Sequence, residues 1–120
     1  MPVLIVEHDT ERASRWQATL RCQGLEVIRV PGQREAVTVM QTRSVSLLIV
    51  NLDLIDGSAL AVADFASYRH PQAKVIFLTD SNMFSDGSIF MHAGNACAYL
   101  PASTPPEDLA AMVEHYRSVA

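Results

Sequence analysis

Leu47-Leu48-Ile49-Val50-Asn51-Leu52-Asp53-Leu54-Ile55-Asp56-Gly57-Ser58-Ala59-Leu60 is the stretch from which the rest of the chain can be read. Val45 to Asn51 is a mostly apolar run and reads as a strand. A loop carrying Asp53, Asp56 and Gly57 follows it. Ser58 then opens a helix that runs through Leu60 and Ala63. That helix stops near His70-Pro71, because proline disfavours helical geometry in the residue before it.

The same alternation extends in both directions. Pro2 to Glu7 is a short apolar run, as expected of a strand buried on both faces. Thr10 to Gln23 reads as a helix with Ala13, Trp16 and Leu20 on one face and Gly24 as its stop. Glu26 to Val30 is a second strand. Pro31-Gly32 then turns into a helix around Ala36, Val37 and Met40. Beyond the central stretch, Lys74 to Thr79 is a fourth strand. A weaker helix covers about Phe84 to Ala93, with Gly87 inside it costing about 1 kcal/mol against alanine. Cys97 to Leu100 is the last strand.

Thr104-Pro105-Pro106-Glu107 reads as a capping box with proline at the first helical position. Leu109, Met112, Val113 and Tyr116 follow at i, i+3, i+4 and i+7. Five strands alternating with five helices predict an α/β fold with a parallel sheet covered on both faces. The expected architecture is a flavodoxin-like (βα)5 doubly wound sheet of order 2-1-3-4-5, as a single domain over 1–120. Its functional groups belong at the carboxyl ends of the strands.

Composition narrows the function. Hydrophobic residues are 49% and charged residues 18%, against roughly 25% charged in an average domain. That balance points to an apolar surface patch and a protein partner. A net charge of -4 without a Lys/Arg cluster argues against nucleic acid as a partner. No apolar run approaches the roughly 18 residues of a membrane span. Met1 leads straight into a strand, so no signal peptide is expected, and the expected location is cytoplasmic. Cys22 and Cys97 match no metal or redox spacing and read as reduced thiols. His8-Asp9-Thr10-Glu11 stands where a flavin or nucleotide binder would carry a glycine-rich loop. A small-molecule substrate is therefore not expected.

The strand ends carry Glu7-His8-Asp9, Asn51, Thr79-Asp80 and Leu100-Pro101-Ala102. Four segments in order, VLIVEHD (3–9), LLIVNLDLIDGSAL (47–60), VIFLTD (75–80) and AYLPASTPPEDL (98–109), resemble a bacterial two-component response-regulator receiver domain, CheY-like in pattern. The resemblance implies roles for these positions. Asn51 stands where such a domain carries the aspartate that accepts a phosphoryl group, and a carboxamide is a far poorer nucleophile. The two acidic residues that hold Mg2+ fall on Glu7, which is kept, and His8, whose imidazole suits Mg2+ poorly. A further metal ligand would be the backbone carbonyl of Asp53. The phosphate-contacting hydroxyl is Thr79. The lysine position is Ala102, followed by Ser103 in place of proline. The aromatic switch residue is Tyr99.

The chain's single lysine, Lys74, lies at the far end of the fourth strand, roughly 16 Å from Thr79 at 3.3 Å per residue. No arginine lies between Arg69 and Arg117, so no nearby cation is expected. Plainer readings stand beside these. Asp9 can be the N-cap of the first helix, His8 a surface histidine, Asn51 a loop cap, and Tyr99 a half-buried packing residue.

The combined expectation is a pseudo-receiver, an atypical receiver domain that is not an enzyme and needs no cofactor. It would hold no metal beyond a weak Mg2+ at Glu7. It would act in bacterial phosphorelay signal transduction through protein contacts. The partner, or a second copy in a homodimer, would meet the face built from the fourth helix, fifth strand and fifth helix. Met83, Phe84, Phe90, Met91 and Tyr99 make that face rich in adaptable apolar groups. The alternative is a working receiver phosphorylated at Asp53 or Asp56 with Mg2+.

Overall fold

Alternating side-chain parity along buried strands organises the molecule. A computed structural model describes residues 2–54, 57–79 and 95–118. The strands are β1 (Val3–Val6), β2 (Val27–Val30), β3 (Leu47–Asn51), β4 (Lys74–Thr79) and β5 (Ala96–Pro101). The helices are α1 (Thr10–Cys22), α2 (Gln33–Thr42), α3 (Ala59–Arg69) and α4 (Pro106–Ser118). All strand pairs are parallel, in the order β2-β1-β3-β4-β5. The α/β, flavodoxin-like sheet expected from the sequence is therefore the observed one.

Successive residues of a strand point to opposite faces, so each strand feeds two cores. Leu4, Val6, Leu48, Val50, Val75 and Phe77 pack with Ala36 and Met40 of α2 and with Val62, Ala63 and Ala66 of α3. Val3, Ile5, Leu47, Ile49, Ile76 and Leu78 pack with Ala13, Trp16 and Leu20 of α1 and with Leu109, Ala110 and Val113 of α4. β1 and β3 are buried at every residue. That explains why they read as continuous apolar runs rather than as alternating ones.

The helix ends follow from local chemistry. Asp9 caps α1 by accepting from the Arg12 N–H at 3.1 Å. Gly24, at φ 83°, supplies the left-handed residue after α1. Ser58 caps α3 by accepting from Ala61 N–H at 3.2 Å. The capping box expected at Thr104 does not form in that register. The Thr104 hydroxyl instead donates to the Pro101 carbonyl at 2.6 Å, and the carbonyl of Pro105 accepts from Leu109 N–H at 3.1 Å. α4 thus begins at Pro106, whose missing N–H and fixed φ suit a first helical position.

The helix expected over 84–93 lies outside the described residues, and so do Asp56, Asp80, Met83, Phe84, Phe90 and Met91. Among the described residues no helix is long and apolar enough to cross a membrane.

Two predictions follow from the packing. Gly57 has φ +90°, and a Cβ there would meet the side chain of Gln33, with Oε1 at 2.6 Å. The same Oε1 accepts from Ser58 N–H at 2.8 Å. Gly57→Ala is expected to lower stability by about 1–3 kcal/mol in urea denaturation. An unchanged midpoint would contradict this loop geometry. Cys22 is exposed, whereas burial pushes the half-buried Cys97 thiol up to about 11. At pH 8 only about one Cys97 in a thousand is then thiolate. Iodoacetamide should modify Cys22 well before Cys97, and equal rates would contradict the placement of β5.

Candidate functional site

The register of β1 with β3 builds the site. Val6 pairs with Val50, so the next residues, Glu7 and Asn51, emerge side by side at the carboxyl ends of the two strands. Both are buried, Glu7 at 0% and Asn51 at 1% exposure. The Asn51 Nδ2 donates to both carboxylate oxygens of Glu7, at 2.8 Å to Oε1 and 2.9 Å to Oε2. Its Oδ1 accepts from Asp53 N–H at 2.8 Å. That last bond fixes which way the amide faces, since only the oxygen can accept from a backbone N–H.

Three further groups approach the same carboxylate. Asp9 N–H donates to Oε2 at 3.2 Å, and Nη1 of Arg12 lies 3.5 Å from Oε1. Nδ1 of His8 is 3.4 Å from Oε2, too long for a well-formed hydrogen bond. From β2, Arg29 clamps the backbone where β1 ends. Its Nε and Nη2 donate to the Glu7 carbonyl at 3.1 and 2.8 Å, and Nη2 donates to the His8 carbonyl at 3.1 Å.

The electrostatics explain this crowd of donors. A buried carboxylate is costly unless hydrogen-bonded and matched by positive charge. At an effective dielectric near 20, a unit charge pair at about 4 Å is worth about 4 kcal/mol. Arg12 supplies that charge from the first turn of α1, which starts where β1 ends. The expectation that no cation lies near the site is therefore corrected. Separation in sequence from Ala102 was the wrong measure, because the sheet brings the start of α1 to the same rim. The fold also gives Asp9 a local task. The N–H of Arg12 holds its carboxyl below the ordinary value of 3.8, against the opposing effect of desolvation.

The remaining positions fall around this pair. The Thr79 hydroxyl donates to Asp53 Oδ2 at 2.9 Å. Ala102 N–H donates to the Thr79 carbonyl at 2.9 Å, and its methyl is part of the core between the sheet, α1 and α4. Lys74 sits at the other end of β4 and donates to the Tyr116 carbonyl at 3.3 Å. Tyr99 is half-buried and stacks on Phe77, with ring centroids 5.2 Å apart and planes 21° from parallel. Its burial raises the phenol pKa.

Mg2+ requires near-octahedral oxygen ligands at short range. Here both oxygens of Glu7 face N–H donors, and the neighbouring side chain is an imidazole, which suits softer metals. Among the described residues no group of three or more His, Cys, Asp or Glu is arranged to hold a metal. A dication would have to displace the Asn51 amide and the Arg12 guanidinium. As arranged, these residues do not fit Mg2+.

No protein-family model matches the chain, and no curated protein matches it. Solved structures do. A CheY-like response regulator receiver domain protein from Methanospirillum hungatei JF-1 superposes with a TM-score of 0.88 at 22% identity, covering 97% of this chain and 92% of that one. Response regulator protein TrrA from Thermotoga maritima, solved in complex with Mg2+-BeF, gives a TM-score of 0.82 at 20% identity over 97% of this chain and 99% of that one. The N-terminal domain of a response regulator/sensory box/GGDEF three-domain protein from Carboxydothermus hydrogenoformans gives 0.83 at 20% identity, over 98% and 94%. The chain has the fold of response-regulator receiver domains.

The geometry yields a stability prediction. Asn51→Ala strips two donors from a buried carboxylate and leaves the Asp53 N–H without its acceptor. The expected loss is about 3 kcal/mol, read from urea denaturation. Removing the exposed helix cap with Ser58→Ala should cost only about 1 kcal/mol. An Asn51→Ala loss no larger than that of the cap would contradict the described network.

Proposed function

We propose that this chain is a pseudo-receiver, a receiver-fold domain of bacterial two-component signalling that works through protein contacts without being phosphorylated. One observation carries the reading. The residue at the acceptor position, Asn51, has both ends of its amide engaged, with Nδ2 on Glu7 and Oδ1 on Asp53 N–H. A carboxamide in that setting offers no nucleophilic oxygen, and phosphoryl transfer depends almost entirely on positioned charge. The metal-holding pair has become Glu7 and His8, and the cation position after β5 is the buried methyl of Ala102. The fold neighbour TrrA was solved in complex with Mg2+-BeF; around Glu7 here stand N–H donors.

Without a phosphate, only a binding partner can bias the conformations of such a domain. Its output is then contact by the face around Tyr99, with a protein or a second copy as partner. No nucleic acid, membrane, cofactor or small-molecule substrate enters this reading, and the domain is not an enzyme. Its place is the cytoplasm.

A second reading has one observation in its favour. The Asp53 carboxylate lies beside the Thr79 hydroxyl, 2.9 Å away, which is where a shifted acceptor would need its phosphate contact. Incubation with acetyl phosphate and Mg2+ separates the two. The pseudo-receiver reading predicts an unchanged intact mass. Gain of one phosphoryl group mapping to Asp53 or Asp56 would replace it with the second reading.

A further inference from the structure

We propose that Arg12 is a built-in counter-cation that keeps the Glu7 pocket closed to divalent metal, so that Asn51 and Arg12 together, rather than Asn51 alone, exclude Mg2+. The proposal deepens the pseudo-receiver reading and rests on it for the identity of the site. Four observations carry it. Glu7 is completely buried, so its charge must be met from inside the protein. Nη1 of Arg12 is 3.5 Å from Oε1, on a side chain that is itself only 23% exposed. Arg12 is held by its helix, since its own N–H is bound by the Asp9 cap. Among the described residues, other charged groups at the rim are engaged as well: Arg29 from β2 with the Glu7 and His8 carbonyls, Asp53 after β3 with the Thr79 hydroxyl, and Asp9 with the Arg12 N–H.

The consequence concerns Asn51→Asp. That substitution restores a second carboxylate beside Glu7, and like charges so close repel unless a cation shares them. Arg12 already stands 3.5 Å from Oε1 of Glu7 and needs no recruitment from solution. Mg2+ must then compete with a tethered guanidinium, which a bidentate carboxylate pairing would favour. Removing Arg12 as well leaves two carboxylates without the Arg12 charge beside Oε1. That is the arrangement in which Mg2+ has a place. Arg12 is in this sense a positioning residue, acting through Glu7.

Trp16, the chain's only tryptophan, lies one turn after Arg12 on α1 and is 3% exposed. Its fluorescence can report Mg2+ titrations of the full chain, with calorimetry as a second readout. Wild type should show no saturable Mg2+ response. Arg12→Ala/Asn51→Asp should bind Mg2+ at least tenfold more tightly than Asn51→Asp. Arg12→Lys/Asn51→Asp, which keeps the charge, should stay close to Asn51→Asp. Equal affinity for Asn51→Asp and Arg12→Ala/Asn51→Asp would overturn the proposal, as would tight binding by wild type. If Arg12→Ala/Asn51→Asp is unfolded without metal, Mg2+-dependent recovery of its circular dichroism supports the proposal and no recovery overturns it. Phosphorylation of wild type at Asp53 would remove the functional reading while leaving this affinity ratio to stand or fall by itself.

Discussion

The hydrogen-bonded pair of Glu7 and Asn51, side by side across β1 and β3, is the constraint on which this rim of the molecule depends. A fully buried carboxylate cannot be left unmatched at the end of a sheet. The two central strands deliver it there because their apolar residues are buried on both faces and their register is fixed by packing. Around it the chain arranges an amide from β3, a backbone N–H from the Asp9 turn and a guanidinium from α1. Arg29 then holds the carbonyls that orient the turn. Local structure and site chemistry are the same set of bonds here. The N–H of Arg12 completes the Asp9 cap of α1, while the guanidinium of Arg12 faces Glu7.

This arrangement holds a buried carboxylate at the rim of a receiver-like fold with the protein's own donors. A cluster of carboxylates at one sheet end is self-repelling and calls for an external cation. Exchange of one carboxylate for the Asn51 amide turns repulsion into a pair of donated hydrogen bonds. The Glu7 carboxylate is thereby met by the protein's own donors. These bonds join β1, β3 and α1 at one rim of the sheet.

Much of the fold was legible because burial writes itself into the strands. β4 was read at Lys74–Thr79, as observed, and alternation with helices made the parallel order 2-1-3-4-5 the natural doubly wound solution. Strand ends were less legible. β3 begins at Leu47, not Val45, although Val45 is still buried at 2% exposure, because hydrophobicity reports burial and not ladder pairing. The Thr104 cap failed because α4 starts one residue later, at Pro106, which puts Pro105 at the cap position. In the site, Glu7, Asn51 and Thr79 were read as strand-end residues and Asp53 as a loop residue, and hydrogen bonds link the four. Arg12 and Arg29 were missed. Each sits in an element whose pattern reads as structure, and only parallel pairing and the start of α1 bring them to the rim. A basic residue in the first helical turn after a strand that ends in a buried acid was the available signal.

The central claim is that the Glu7 carboxylate is already fully occupied by the protein's own donors. The most direct measurement is the side-chain NH2 signal of Asn51, with the Asp9 amide beside it, in 1H–15N spectra as Mg2+ and beryllofluoride are added. The account predicts that both signals keep their positions, apart from the gradual drift that added salt causes everywhere. A saturable shift of the Asn51 NH2 and Asp9 signals, with the pair moving together, would show that a ligand displaces these donors from Glu7 and would contradict the account.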